Sequence, residues 1–542
     1  MHTIFRCKKI LTMNPARPTT THVAVAQGRI LGTGSFDELK AWGEYKLDHR
    51  FADKILMPGF VEGHSHALEG VLWRRMYCGY FDRMDPDGQL CSGLKSMEDL
   101  ISGLQSAVSK LESDQPLAGW GFDPIYFNNK RMTRNDLDRI SSDRPVGILH
   151  ASIHIMNVNT HTLELLGWMR KDMNHPGLPI GDDGLPTGEL RGPDVMTPAA
   201  EHIGFGQDML ECDAEGLKQF SRLCVRTGIT TATDLASQLK PDQVARNLAI
   251  TANDDFPVRL VALKFHHGST PDELIERVLE LRSQSTDRLR LGMIKVVADG
   301  SIQGFTARLN FPGYFNHAPN GLWYIAPEQM LEIYRLALEN GIQVHTHTNG
   351  DEATDLALDM MEEALRKHPS FDHRFTIQHG QLANIAQFRR MAKLGVCVNL
   401  FANHHFYWGD SHYNLSVGPE RAERMNACRS ALDHNIPLAI HSDAPITPLG
   451  PLFTAWCAMN RETSSGRQLG GYECLSLDQA LQAITLGAAY TLRLDQEIGS
   501  IEAGKQADFA VLNADPYQVP SLRDINVWGT VQQGRVFSAD EI

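Results

Sequence analysis

The chain has 542 residues, 42% of them hydrophobic and 21% charged, with a net charge of −14 at pH 7. That balance is ordinary for a globular protein, and its acidity speaks against nucleic acid as a partner, since phosphate binding asks for a basic face. The nine cysteines are scattered with no CxxC pair, so they read as small buried hydrophobes in a reducing compartment rather than a disulfide framework.

The N-terminus, MHTIFRCKKILTMNPARP, has no long apolar stretch, and Lys8 and Lys9 interrupt what apolar character there is. No signal peptide is expected, nor a membrane span, and the expected location is cytoplasmic. From there the pattern is β-rich. Val23–Ile30 (VAVAQGRI) alternates apolar residues and ends in a turn. The last stretch of chain reads alike, with short strands at Asp508–Leu512 and Val527–Val536. Each end is too small to hold a core alone, so the two are expected to pair into one small β-sandwich domain, 1–55 with 500–542. Two separate surface hairpins are the alternative.

Between the ends, short apolar runs alternate with amphipathic stretches. The runs are Ile55–Val61, Ile229–Leu235, Val258–Phe265, Met293–Ala298, Ile342–His347, Phe375–His379, Val396–Phe401 and Pro437–His441. Pro327–Asn340 and Asp351–Lys367 carry apolar residues at helical spacing. Eight such strands alternating with helices predict an α/β fold, a TIM-type (β/α)₈ barrel over 56–499. An open doubly wound sheet is the alternative, but no Gly-rich nucleotide fingerprint follows any run. The gap between the first two runs is too long for a loop. It predicts a large insertion after strand one, about 70–225, over the active-site face and containing Asn135–Ile140 and Pro145–Leu149.

Chemistry gathers at the ends of the runs. His64-Ser65-His66 closes the first, and residues two apart on a strand face the same side. His347, His379 and Asp443 occupy equivalent ends. Any one of these alone is better explained as a hydrogen-bonded core or rim residue. Together they form the donor set of a hydrolytic Zn²⁺ site, with Mn²⁺ or Fe²⁺ as other occupants. Lys295, in LGMIKVVADGS, is costly to bury unpaired. Conversion to a carbamate by CO₂, a salt bridge to Asp299 and an exposed position all remain open from spacing. Asn403 to Trp408 mixes histidines with aromatics beside the seventh run and reads equally as a pocket wall or a packed loop.

The segments PGFVEGHSH, GWGFD at 119–123, GLPTGEL at 184–190, IKVVADGS, HTNGDEA, IQHGQL, HSDAPI and GSIEAGKQADFAVL span nearly the whole chain. They resemble the amidohydrolase superfamily, specifically its YtcJ-like branch, amidohydrolase family 3, which includes N-substituted formamide deformylases and proteins labelled AepA. The resemblance implies that His64 and His66 end strand one, Lys295 strand four, His347 strand five, His379 strand six and Asp443 strand eight. It further implies that these bind one or two divalent metals, with Lys295 carbamylated and bridging where there are two. Strand two then becomes GITTATDL, and Pro145–Leu149 falls inside the insertion. Two departures stand out. The usual HAIGD reads HTNGD here, with an extra His345, which faces the same side as His347 and is a competing ligand, though one expected deeper in the barrel. The usual DGH reads Ser152-Ile153-His154, of which His154 matches a substrate-facing position.

The expected reaction is hydrolysis of an amide-type C–N bond in an N-acyl or N-formyl amine or a cyclic amide. Metal-activated water is the nucleophile, Asp443 moves the proton, and His379 and His154 bind or polarise the oxyanion. Ester or lactone cleavage or deamination is the alternative on the same site, and a non-catalytic binding or regulatory protein the alternative from another class. No GxSxG elbow is present. The expected partners are a small-molecule substrate with an apolar or aromatic group and a second copy of the chain in a dimer.

Overall fold

The computed structural model describes residues 1–112, 115–205 and 212–542. They group into two compact units: Met1–His66 with Ser221–Ala444 and Leu449–Ile542, and Ala67–Phe220 with Pro445–Pro448.

The first unit is built on an all-parallel sheet of eight strands in chain order. The strands are Phe60–Glu62, Ile229–Ser237, Arg259–Phe265, Leu289–Val297, Val344–Thr348, Thr376–His379, Cys397–Leu400 and Leu438–Ile440. Nearly every residue in them is buried, which is why they read as apolar runs rather than alternating ones. The sheet curls into a barrel-like form. Its first and last strands meet at their C-terminal ends, where the Asp443 amide donates to the His64 carbonyl at 3.0 Å and the His66 amide to the Ala444 carbonyl at 2.8 Å. Helices return the chain between strands, among them Pro271–Ser283, Pro327–Glu339, Asp351–Lys367 and Ile385–Leu394. Proline stands in the first turn of two of them and capping boxes at Thr270 and Asn384 start two.

The expected first run, Ile55–Val61, is two strands. Ile55–Pro58 ends a long strand, Tyr45–Pro58, of a different sheet, and only Phe60–Glu62 joins the parallel one. Both pieces are buried, so apolar character gave no boundary. Gly59 marks it: a Cβ there would run into the Thr230 side chain.

That other sheet draws on both chain ends. Its seven mixed strands run in the order Arg535–Ser538, Val527–Gln532, Phe509–Leu512, Tyr45–Pro58, His2–Leu11, Thr19–Ala26, Arg29–Gly34. The ends meet where Phe509–Leu512 pairs antiparallel with Ile55–Pro58. Two hairpins in it turn on Gln-Gly pairs. Gln27 and Gly28 have φ of 50° and 75°, and Gln533 and Gly534 have 50° and 79°, the left-handed pair that a two-residue hairpin of matching twist requires. Phe5, Phe51, Leu56, Phe509 and Val511 form its core.

The second unit has its own five-stranded sheet, ordered Glu189–Arg191, Ile155–Val158, Val146–His150, Leu117–Phe122, Met76–Tyr77. Two apolar clusters pack on it, one around Trp120, Met156 and Ala199 and one around Leu104, Phe122 and Ile148. The run at Pro145–Leu149 is its strand Val146–His150, and Asn135–Ile140 overlaps the helix Arg134–Asp138. None of the nine cysteines, all of them among the described residues, forms a disulfide. Among the described residues no helix is long and apolar enough to cross a membrane.

Candidate metal centre

Parallel strands deliver their C-terminal ends to one rim, and the polar residues that end the buried runs collect there. His64 and His66 follow the first strand, His379 ends the sixth, and Asp443 follows the eighth. His379 and Asp443 hold the left-handed backbone conformation, with φ of 70° and 55°. For residues other than glycine this costs about 1–2 kcal/mol each; such strain persists where surrounding structure enforces it, often at functional sites.

The side chains converge. His64 Nε2 lies 3.2 Å and His66 Nε2 3.3 Å from Asp443 Oδ1, with His379 Nδ1 3.9 Å from Oδ2. Hydrogen bonds fix the tautomers. His64 Nδ1 donates to Gln378 Oε1 at 2.7 Å, and His66 Nδ1 donates to the Leu235 carbonyl. Both acceptors lack protons, so each Nδ1 carries the hydrogen and each Nε2 presents a lone pair. Two lone pairs and a carboxylate oxygen therefore face one another. A cation resolves that repulsion, and two imidazole nitrogens with a carboxylate oxygen suit a borderline-soft divalent ion. Burial holds His64 and His379 far below the usual imidazole range, keeping them neutral and ligand-ready. Burial also raises the Asp443 carboxyl, opposed by the facing His66 ring and by the charge of Lys295.

Two supporting residues carried no signal at the sequence level. Gln378 is fully buried, accepts from His64 and from Asn399 Nδ2 at 3.0 Å, and donates to His345 Nδ1 at 2.7 Å. Gln378→Ala removes the acceptor that orients His64, and metal affinity should fall about 10–100-fold, as read by competition with a chromophoric chelator. Glu62, also buried, accepts from the amides of His64 at 3.3 Å and Ser442 at 3.2 Å and from Ser442 Oγ at 2.9 Å. It thereby ties the first strand's end to the eighth's. Burial pushes its carboxyl up to about 8 against those bonds. A third missed residue, His441, also lies in the cluster. The spacing of His441-Ser442-Asp443, with its like-facing i and i+2, could have found it.

The remaining expected residues are placed differently. Lys295 is 2% exposed, with Nζ 3.5 Å from His64 Nε2, and burial brings its amine down to about 7. The salt bridge to Asp299 is not formed. Asp299 instead accepts backbone amides of Arg308, Asn349 and Gly350, each at 2.9 Å, at the start of helix Asp351–Lys367. His347 packs against His379 with ring centroids 4.5 Å apart, but its Nε2 turns to the Gly300 carbonyl at 3.2 Å and Asn349 Nδ2 at 3.1 Å. His345 lies deeper, wholly buried against Gln378. His154 belongs to the second unit, in the turn between Val146–His150 and Ile155–Val158. Ile153, where the usual pattern has glycine, takes φ 55° there. The stretch at 403–408, which reads equally as a pocket wall or a packed loop, enters a helix, His404–Ser411, with His404, His405 and Trp408 buried. Both His405 nitrogens face backbone carbonyls, those of Ala402 and Met425, so that residue is structural.

An amidohydrolase-family model matches residues 52–537. YtcJ of Bacillus subtilis (strain 168) is 27% identical over 550 residues, covering 97% of both chains. An N-substituted formamide deformylase of Arthrobacter pascens is 26% identical over 546 residues, covering 97% of this chain and 96% of its own. A solved structure of an uncharacterized metal-dependent hydrolase from Pyrococcus horikoshii OT3 shares the fold, with a TM-score of 0.73 at 21% identity over 97% of this chain and 99% of that one. By a match that spans most of its length, this chain belongs to the amidohydrolase family.

Proposed function

We propose that this enzyme cleaves an amide-type C–N bond of a small N-acyl or N-formyl amine or cyclic amide. We read the curled sheet as a (β/α)₈ barrel flanked by a β-sandwich, with the second unit inserted after strand one. The observation that carries the functional reading is the meeting of His64 Nε2, His66 Nε2 and Asp443 Oδ1 as three acceptors. Those three residues would hold a divalent ion, with Zn²⁺ best suited to the donors. When bound, such an ion supplies Lewis acidity, polarising a carbonyl and acidifying water towards neutral pH.

The chain's own groups do the rest. Asp443 accepts a proton from the attacking water and returns it to the leaving nitrogen. Burial raises its carboxyl, which brings it closer to a range where one group can both take and give a proton. His379, neutral and with Nδ1 lacking a hydrogen-bond partner, binds the carbonyl oxygen. Lys295, brought down towards neutrality, is reactive enough as a free amine to form a carbamate, which with His347 would offer a second metal position.

The test pairs metal analysis with substrates. Protein purified without chelator should carry at least one equivalent of metal by plasma mass spectrometry. A panel starting with N-substituted formamides, the substrates named for the Arthrobacter relative, should show amine release that chelation abolishes and Zn²⁺ or Mn²⁺ restores. Metal removal should also lower the melting temperature, since an ion bound only by the native state stabilises it. Amine release that survives complete metal removal would sink the proposal.

A further inference from the structure

A substrate that reaches the rim meets the inner face of the curled sheet, and Phe265 is where the third strand leaves that face open. Val261 and Leu263 of this strand are closed off in one apolar cluster with Val61, Leu235 and Ala439 of other strands. Phe265 follows at the same spacing of two, so its side chain projects to the same face. Register agrees: Phe265 is the parallel partner of Lys295, and Lys295 that of His345. Lys295 Nζ lies 3.5 Å from His64 Nε2, and His345 meets Gln378, which orients His64. Thr346, between His345 and His347, turns the other way, to Tyr334 of helix Pro327–Glu339 at 2.7 Å. In this inner row Lys295 is 2% and His345 0% exposed, while Phe265 is partly exposed, the one residue of Arg259–Phe265 that is not buried.

Neighbouring rings hold its plane. His267 stacks on it with centroids 5.9 Å apart and planes at 27°, and His266 meets it edge-on at 5.0 Å and 88°. A ring that only fills the core is the competing explanation. The core residues of this strand are closed, however, with Val261 1% and Leu263 0% exposed. An aromatic ring left partly open at the C-terminal end of a parallel strand, beside polar groups, stands where ligand-facing residues stand. Aromatic rings prefer flat partners, in offset or edge-on contact.

We propose that Phe265 sets substrate specificity by stacking on a flat apolar substituent of the amide, with His267 backing the ring. The proposal rests on the reading of this site as amide-hydrolysing. The contact is made alike before and during reaction, so it shows in KM rather than kcat.

Full-length enzyme is assayed with N-phenylformamide and N-cyclohexylformamide, which have equal carbon counts but a flat and a puckered ring. Phe265→Leu and Phe265→Met remove the stacking plane and keep apolar bulk, and circular dichroism shows which of them folds. Either should lower the ratio of kcat/KM for phenyl over cyclohexyl about three- to tenfold relative to wild type, through KM, and Phe265→Tyr should keep it within about twofold. Should neither fold, His267→Ala, at an exposed position, decides in their place, since it takes away the ring's backing. A ring that only fills the core would weaken both amides alike. An unmoved ratio in the folded variants therefore overturns the proposal, as does a loss in Phe265→Tyr equal to that in Phe265→Leu. The same two amides are titrated by calorimetry into Asp443→Asn, expected to keep its metal without turnover, with and without Phe265→Leu. If wild type hydrolyses neither amide, the proposed reaction fails for them and the calorimetric ratio still decides on Phe265. A fall of about three- to tenfold supports it, and an unmoved ratio, or no binding of either amide, overturns it.

Discussion

Asp443→Asn should keep its metal and lose its turnover. The side-chain amide retains an oxygen beside His64 and His66, so one neutral ligand replaces one charged ligand and binding weakens without vanishing. Asparagine also tolerates the left-handed backbone conformation that Asp443 holds at φ 55°, so the rim is not disturbed. What disappears is the group that carries the proton from water to leaving nitrogen. A positioned acid–base group contributes roughly 10²–10⁴-fold, and kcat should fall by that order on any substrate the amide panel identifies. The comparison variant is Asp443→Ala, which removes the oxygen too and should release metal. Unchanged turnover in Asp443→Asn would remove Asp443 from proton transfer. Loss of metal equal to that of Asp443→Ala would show that its charge, not its proton chemistry, is what the site needs.

The parts of this site that were legible in the sequence share one physical property. A histidine or aspartate that ends a buried apolar run breaks a strong local pattern, and His64, His66, His379 and Asp443, which meet here, all do so. What could not be read lies inside the runs or across the sheet. Gln378 sits between Ile377 and His379 in a strand buried on every side, and nothing local separates a glutamine that orients His64 from one that fills space. Glu62 acts through Ser442, 380 positions away. His441 looked like the tail of a run because Asp443 beyond it supplied the expected carboxylate. The fold was legible for a similar reason: all eight runs became strands, since a parallel sheet covered on both faces leaves continuous apolar segments. It failed at Ile55–Val61, where one apolar run serves two sheets and only Gly59 marks the crossing. At 403–408 the mixture of histidine and aromatic residues has no clear helical period, and tertiary packing, with His404 stacked on His412 and Trp408, carries the helix.

Asp508→Ala should be among the most destabilising single substitutions in the first unit. Asp508 stands just before the strand that joins the C-terminal segment to the N-terminal one, and Arg259 opens the third strand of the parallel sheet. Their side chains are 2% and 0% exposed and meet at 2.6 Å. Arg259 also donates to Thr231 Oγ1 at 3.0 Å and to the Asp287 carbonyl at 2.7 Å. Asp508 accepts the Gln533 amide at 2.8 Å beside the Gln-Gly turn. The pair is thus the polar joint between the parallel sheet and the sheet made from both chain ends. Removing the carboxylate leaves a guanidinium buried without counter-charge, which costs about 3–5 kcal/mol. That loss should appear as a lower guanidinium-chloride midpoint and melting temperature. Replacing both partners, as in Arg259→Met with Asp508→Leu, removes the desolvation cost along with the attraction and should recover most of the loss. The cycle separates two roles that a single variant confuses. If the double replacement is as stable as wild type but its activity falls, the joint sets the position of the strands that carry His64 and Asp443. If stability and activity both return, burial alone holds the two sheets together and the ion pair serves only to neutralise itself.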